Sequence, residues 1–330
     1  TTRARWGTIQ MAVVPTTAAP VNVTGAAVPT AKVLDRRRRR RKSIRSLSAY
    51  VLVLPAAAFY AFFVLRSIAL SAQYSFYDWN GIGPATWVGF DNYLEVFSNP
   101  KLVGSILNAF ELILYFSVIP VAIALIAANL IRAIAASKLA GVARTVLFLP
   151  QVIPLVAAGI MWSWLLSTNG LVNQLLRLVG LGDLTRAWVG DFDTALPAVG
   201  MIGAWVEVGL CLVLILAGMT KIDPALYEAA RIDGAGPLRE FFAITLPGVR
   251  QEVAICVTVT VIAALASFDI IFITTRGGPG DSTLVPGLQI FYLAFFEREI
   301  GTASAFAIVL MCLVLIVVLP LQRILRGKES

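Results

Sequence analysis

The stretch that decides the fold is residues 196–219, which read LPAVGMIGAWVEVGLCLVLILAGM. Glu207 is the one charged residue among them. A helix needs about 20 predominantly apolar residues to cross the roughly 30 Å hydrocarbon core of a bilayer. This stretch therefore predicts a membrane-spanning helix.

Five further stretches meet the same criterion of length and apolar composition. They are residues 47–70, 105–131, 142–166, 253–275 and 301–321. The whole chain of 330 residues is 58% hydrophobic and 14% charged, which is too apolar for soluble domains of that length. The sequence predicts an all-α polytopic membrane protein with six transmembrane helices.

Lysine and arginine are distributed unevenly between the ends of these six spans. The tail before span one, the connection of residues 131–144, the connection of residues 220–251 and the C-terminal end after span six hold 21 of the 27 cations. Cytoplasmic loops carry such an excess, so we expect both termini to be cytoplasmic. The block from Arg36 to Arg41 favours a topology signal over nucleic-acid binding, and it predicts that residues 1–45 are a disordered, basic cytoplasmic tail before a permease domain of residues 46–330.

Several residue types needed for catalysis or metal binding are missing. The chain has no histidine, and its cysteines (Cys211, Cys256 and Cys312) lie in apolar stretches without metal-ligand spacing. No G-x-x-x-x-G-K-[ST] phosphate loop occurs in the sequence. We expect no catalytic residue, no metal and no cofactor bound by this chain.

The connection between spans four and five is the most unusual part of the sequence. Asp223-Pro224 predicts a helix start, with residues 226–232 helical until Gly234 ends the helix. Pro237 can open a second helix, which Pro247 is expected to end. Its apolar residues would share one stripe, namely Leu238, Phe241, Phe242 and Ile244. A helix-turn-helix that is apolar on one side predicts a protein partner.

The pattern in this connection is E-A-A, three residues, G, nine residues, I-x-L-P, and it starts at Glu228 and ends at Pro247. It resembles the coupling-loop motif of binding-protein-dependent ABC importer permeases. Gly277-Gly278-Pro279 at the end of span five and Gly89-Phe90-Asp91-Asn92-Tyr93 after span one are similar to the maltose-type and glycerol-3-phosphate-type branch. The resemblance covers the chain from about residue 49 and implies the type I importer architecture.

What the resemblance implies about partners is specific. A coupling loop, residues 220–250 here, would dock onto a separate ATPase subunit that carries ATP and Mg. The other expected partners are a second related permease, a second ATPase subunit, an extracytoplasmic solute-binding protein, a sugar and the lipid bilayer of a bacterial inner membrane. The residues expected to couple transport to ATP hydrolysis are Glu228, Ala229, Ala230, Asp233, Gly234, Leu246 and Pro247.

The same resemblance places seven residues of spans four and five along the sugar pathway. They are Trp205, Val206, Glu207, Leu210, Ala264, Ser267 and Asp269. Glu207 could accept hydrogen bonds from a sugar or pair with a cation of the partner permease. Asp269 could instead brace the outer end of span five.

Two other functions would also use charged residues within the spans. An ion-coupled secondary transporter could bind its ion at Glu207 and Asp269. A membrane-embedded enzyme acting on lipid-linked sugar could use the same pair as acid and base. Neither alternative explains the pattern from Glu228 to Pro247, so we favour the transmembrane subunit of a sugar importer that performs no covalent chemistry.

Overall fold

The computed structural model describes residues 53–326, with side chains to residue 324. The tail predicted for residues 1–45 lies outside this range. The described residues fall into two compact units, divided between Val64 and Leu65. The described part of the first unit is helical and forms the start of helix α1 (Val53–Tyr74), where the rings of Phe59 and Phe63 lie 4.4 Å apart.

The regular secondary structure of the described chain is helical except for one short antiparallel hairpin. Its strands are β1 (Tyr77–Asp78) and β2 (Thr86–Trp87). The helices after α1 are α2 (Asp91–Ser98), α3 (Pro100–Ala133), α4 (Lys138–Val152), α5 (Leu155–Leu165), α6 (Leu171–Leu178), α7 (Ala195–Met219), α8 (Pro224–Ile232), α9 (Pro237–Gly248), α10 (Arg250–Leu265), α11 (Asp269–Thr274), α12 (Pro286–Tyr292) and α13 (Ile300–Arg326).

Four single helices are long and apolar enough to cross a membrane, namely α1, α3, α7 and α13. For α7 the predicted range differs from the observed one by a single residue. Helix α3 starts earlier than expected, at Pro100, because Asn99 accepts a hydrogen bond from the Lys101 amide and proline occupies the first helical position.

The third predicted span, residues 142–166, is not one continuous helix. It consists of α4 and α5, which meet at a bend of 100°. Ile153 is extended (φ −77°, ψ 126°) because the ring of Pro154 disfavours the helical conformation of the residue before it. Counted as one broken span, α4 and α5 raise the number of spans from four to five, and the second bent pair, which contains α10, raises it to six.

The fifth predicted span, residues 253–275, is interrupted in a similar way. Helix α10 ends at Leu265, and α11 continues from Asp269 after three non-helical residues. At the other end, α9 is bent by 70° from α10 and ends at Gly248, one residue beyond the predicted stop at Pro247. We therefore assign residues 250–274 to the fifth span and α9 to the connection before it.

Helix α7 lies at the centre of the second unit, where most of its residues are buried. Its small residues let neighbouring helices approach closely: a Cβ at Gly203 would overlap the ring of Phe116 of α3, and one at Gly209 would come within 3.2 Å of the Cα of Phe148 of α4. Such small residues allow close packing of helices in membranes. The packing around α7 thus fixes the relative positions of spans two, three and four.

Candidate functional site

The coupling loop begins with a helix whose start is set by local hydrogen bonding. The carboxylate of Asp223 accepts from the Ala225 amide at 2.9 Å, and Pro224 occupies the first turn of α8. An aspartate at this position satisfies a free amide of the first turn. The structure confirms the predicted helix start at Asp223-Pro224.

The turn between α8 and α9 depends on Gly234. Its φ is +78°, a left-handed conformation that glycine adopts without steric cost. Pro237 then opens α9, as predicted, and residues 241–245 of α9 form a π-helical turn. The loop is therefore a helix-turn-helix, with the motif residues distributed over both helices.

The two helices present apolar side chains to the surroundings. Ile232 is 87% exposed and Leu238 is 76% exposed, and Leu226 and Phe242 are also exposed. The predicted stripe on α9 is divided, since Phe241 and Ile244 are half-buried. The predicted coupling residues lie on this outward side: Glu228, Ala229, Asp233, Gly234 and Pro247 are exposed, and Ala230 and Leu246 are half-buried.

The opposite side of the loop packs against span two through an ion cluster. The carboxylate of Glu240 accepts from Nε of Arg231 at 2.9 Å and from Arg132 of α3 at 3.4 Å. The hydrogen bond from Arg231 is the main reason that the pKa of Glu240 lies below its ordinary value, although burial opposes the shift. Tyr227 also lies on this side, with its hydroxyl 3.1 Å from that of Thr245.

No sequence pattern indicated which residues of the loop face span two. Arg132 and Glu240 are 108 positions apart, so no local pattern connects them. Each also has an ordinary explanation, as a basic residue at a span end and as a charge in a polar loop. The one available signal was a glutamate directly before the apolar residues Phe241 and Phe242.

A second ion pair lies where the loop meets the membrane spans. Nζ of Lys221 is 2.6 Å from a carboxylate oxygen of Glu252. Lys221 follows α7 and Glu252 lies in the first turn of α10. This pair links the ends of spans four and five, from which the loop emerges.

The predicted pathway residues occupy different environments. Val206, Ala264 and Ser267 are buried within this chain, while Trp205, Glu207 and Leu210 are half-buried on α7. Asp269 is exposed at the start of α11. Ala264 lies in an apolar cluster with Phe116 and Val199, so its side chain faces the interior of the chain.

Some buried polar atoms of spans three, four and five lack hydrogen-bond partners among the described residues. One carboxylate oxygen of Glu207, the hydroxyl of Ser267 and Nε1 of Trp162 are buried and make no hydrogen bond. The rings of Trp162 and Trp205 meet edge to face at 5.5 Å. Buried polar groups are usually paired, and no contact among the described residues accounts for these atoms. The sequence analysis did not place Trp162 in the pathway.

The chain is a bundle of membrane-spanning helices that carries an exposed helix-turn-helix. The chain belongs to the family described as binding-protein-dependent transport system inner membrane component, whose model matches residues 121–328. It is a permease subunit of an ABC transporter and not an enzyme. Within residues 53–326, no group of three or more histidine, cysteine or acidic side chains could hold a metal ion.

Relatives and a solved structure agree with this assignment. The chain is 34% identical over 288 residues to YurN of Bacillus subtilis (strain 168), described as a probable ABC transporter permease protein, covering 85% of this chain and 97% of YurN. It is 31% identical over 328 residues to the diacetylchitobiose uptake system permease protein NgcF of Streptomyces coelicolor, covering 92% and 93%. A bacterial ABC transporter involved in the import of alginate shares the fold, with a TM-score of 0.75, 23% identity, and coverage of 89% and 100%.

Proposed function

We propose that this chain and a second related permease together form the pathway by which a bacterium imports a sugar or sugar-like solute. Separate ATPase subunits, which bind ATP and Mg, supply the energy through the coupling loop. An extracytoplasmic solute-binding protein delivers the solute. The protein lies in the inner membrane with both termini cytoplasmic, and residues 1–45 form a basic tail before the permease domain.

The coupling loop carries this proposal. Apolar side chains on its outward side leave a contact surface unfilled, and exposed apolar groups of this kind mark sites of protein association. The motif residues Glu228 and Gly234 lie on the same side. An ATPase subunit that receives both helices would bury Ile232 and Leu238 and would transmit its closure to spans four and five.

The pathway assignment rests on half-buried residues of α7. Glu207 and Trp205 are both partly accessible, and a carboxylate can accept hydrogen bonds from sugar hydroxyls. Trp205 and Trp162 also present aromatic faces or edges to the same region. NgcF takes part in diacetylchitobiose uptake, which supports a carbohydrate as the class of solute.

The test is copurification of the ATPase from membranes with wild-type chain and with Glu228→Arg and Gly234→Asp variants. We expect both variants to insert normally and to lose most of the bound ATPase. Asp183→Arg is the matched control, because it makes the same change of charge at an exposed acidic residue outside the loop. If a folded wild-type chain brings down no ATPase, the proposal is wrong.

A further inference from the structure

Arg132 lies in the last turn of α3, one residue before the helix ends. Its side chain is 22% exposed and its guanidinium group has three partners. It donates to the Asn129 amide oxygen at 3.3 Å and to Glu240 at 3.4 Å, and its carbon lies 3.9 Å from the centre of the Tyr227 ring. One side chain of span two thus contacts both helices of the coupling loop.

The contacts within the loop do not require Arg132. Helices α8 and α9 are joined to each other by the Arg231–Glu240 ion pair and by the hydroxyls of Tyr227 and Thr245. Removing the Arg132 side chain would leave both of these links in place. The arginine therefore has a separate role, which is to attach an already folded loop to the membrane domain.

The attachment is a lateral one. The chain enters the loop from span four and leaves it into span five, whereas Arg132 belongs to span two, 108 positions from Glu240. Span two also packs against span four, and Arg132 adds a contact with the loop itself. The carboxylate of Glu240 is 5% exposed, so solvent screens its attraction to Arg132 less than it screens a surface ion pair.

Arginine is suited to this position. Its planar group can donate to one oxygen while its face stacks on an aromatic ring. Lysine would keep the charge but would lose the stacked plane and the fixed fork of donors. Replacement by lysine should therefore restore the attachment only in part.

We infer that Arg132 is a positioning residue, which holds the coupling loop against span two so that the loop and this span move as one rigid unit when the ATPase subunits close. The inference rests on the proposed docking of the loop. Its consequence is that movement of the ATPase reaches span two directly as well as spans four and five.

The experiment measures a distance between span two and the loop in the assembled transporter. Spin labels are placed at Ile126→Cys of α3 and Ala243→Cys of α9, both exposed, with Cys312 replaced by serine. Pulsed electron paramagnetic resonance is recorded without nucleotide and after trapping with ATP and vanadate. In the wild-type background we expect one narrow distance distribution with the same mean in both states.

Arg132→Ala should broaden that distribution at least about twofold while the ATPase still copurifies. The substitution removes the ion pair between the loop and span two but leaves the contacts within the loop. Arg132→Lys should give an intermediate width. Arg144→Ala, which removes an exposed arginine of α4, is the control and should leave the width unchanged.

The failure of this inference can be told apart from failure of the proposed function. If the ATPase is bound and Arg132→Ala retains the narrow distribution, or if Arg144→Ala broadens it equally, Arg132 does not position the loop. A wild-type complex without any ATPase would overturn both the docking and the transmission role assigned to Arg132.

Discussion

Glu240 in the coupling loop and Asn92 in α2 each join three segments of the chain, but with different chemistry. Glu240 is a buried ion with two arginine partners. Asn92 is a buried neutral amide, which donates to the backbone oxygens of Ser75 and Tyr77 and accepts from the hydroxyl of Thr302. Counting six spans places these two residues at opposite ends of the helix bundle.

The charges around the two residues differ as well. Near Asn92 four carboxylates surround a cavity of about 290 Å³, and we call them the carboxylate cluster: Asp78, Asp91, Glu95 and Glu299. In the part of the chain that the structure describes, no lysine or arginine forms an ion pair with them. Burial, followed by the charges of Glu95, Glu297 and Asp78, raises the pKa of Glu299.

The two ends are therefore held together by different interactions. At the predicted coupling loop, the attraction between Glu240 and two arginines holds three helices together, as expected of a segment that transmits movement. At the other end, neutral hydrogen bonds hold the segments together while like charges repel. Substitutions at the two ends should therefore differ in size and in their dependence on pH.

The largest effect is expected for Glu240→Ala. The substitution removes the carboxylate that pairs with the half-buried Arg132. Arg132 and Arg231 then repel each other without a negative charge between them. The free energy of opening the loop should fall by about 1–3 kcal/mol, which corresponds to roughly 5- to 150-fold faster exchange. Hydrogen exchange of the amides in α8 and α9 measures this change.

The matched control for that experiment is Glu297→Ala, which removes an exposed glutamate beyond the loop. Its loop amides should exchange at the wild-type rate. Unchanged exchange in Glu240→Ala would mean that the ion cluster does not hold the loop.

Asn92→Ala should have the next largest effect. The backbone oxygens of Ser75 and Tyr77 lose their donor in a buried place, at a cost of about 2 kcal/mol. We expect the Tm in nanodiscs to be lower than that of the wild type, and we expect this decrease to be the same at low and high salt because the Asn92 side chain is neutral. Asn169→Ala, an exposed asparagine, is the control. A strong dependence on salt would contradict the distinction between the two ends.

The fold was predictable where one physical requirement dominated. Residues 196–219 matched α7 to within one residue because an uninterrupted apolar stretch of that length has one stable arrangement in lipid. The third span was harder, since the apolar stretch of residues 142–166 predicted a span but not the 100° bend at Ile153. Its angle depends on packing against α7, which no local pattern encodes.

Some residues of the predicted coupling loop were likewise predictable from the sequence and others were not. Its outward residues were found because Glu228, Gly234 and Pro247 are close in sequence and each has a local role. Its inward side was missed because Arg132 and Glu240 meet only after the chain has folded. The motif therefore identifies what a partner contacts and not what supports the loop from behind.

The smallest effect is expected for Glu299→Gln, which tests the carboxylate cluster by pH. The folded protein holds the pKa of Glu299 above the ordinary value of 4.5, so it binds more protons than the unfolded chain at pH values just above 4.5. Stability should then fall as the pH rises through this range, and Glu299→Gln should remove the fall and slightly raise Tm at neutral pH. The lowered pKa of Glu240 has the opposite sign: its stabilisation is present above the ordinary value and is lost as the pH falls below it. Tm is measured against pH for the wild type, Glu299→Gln and the control Asp183→Asn, and a Glu299→Gln curve that keeps the wild-type fall would show that another group causes it.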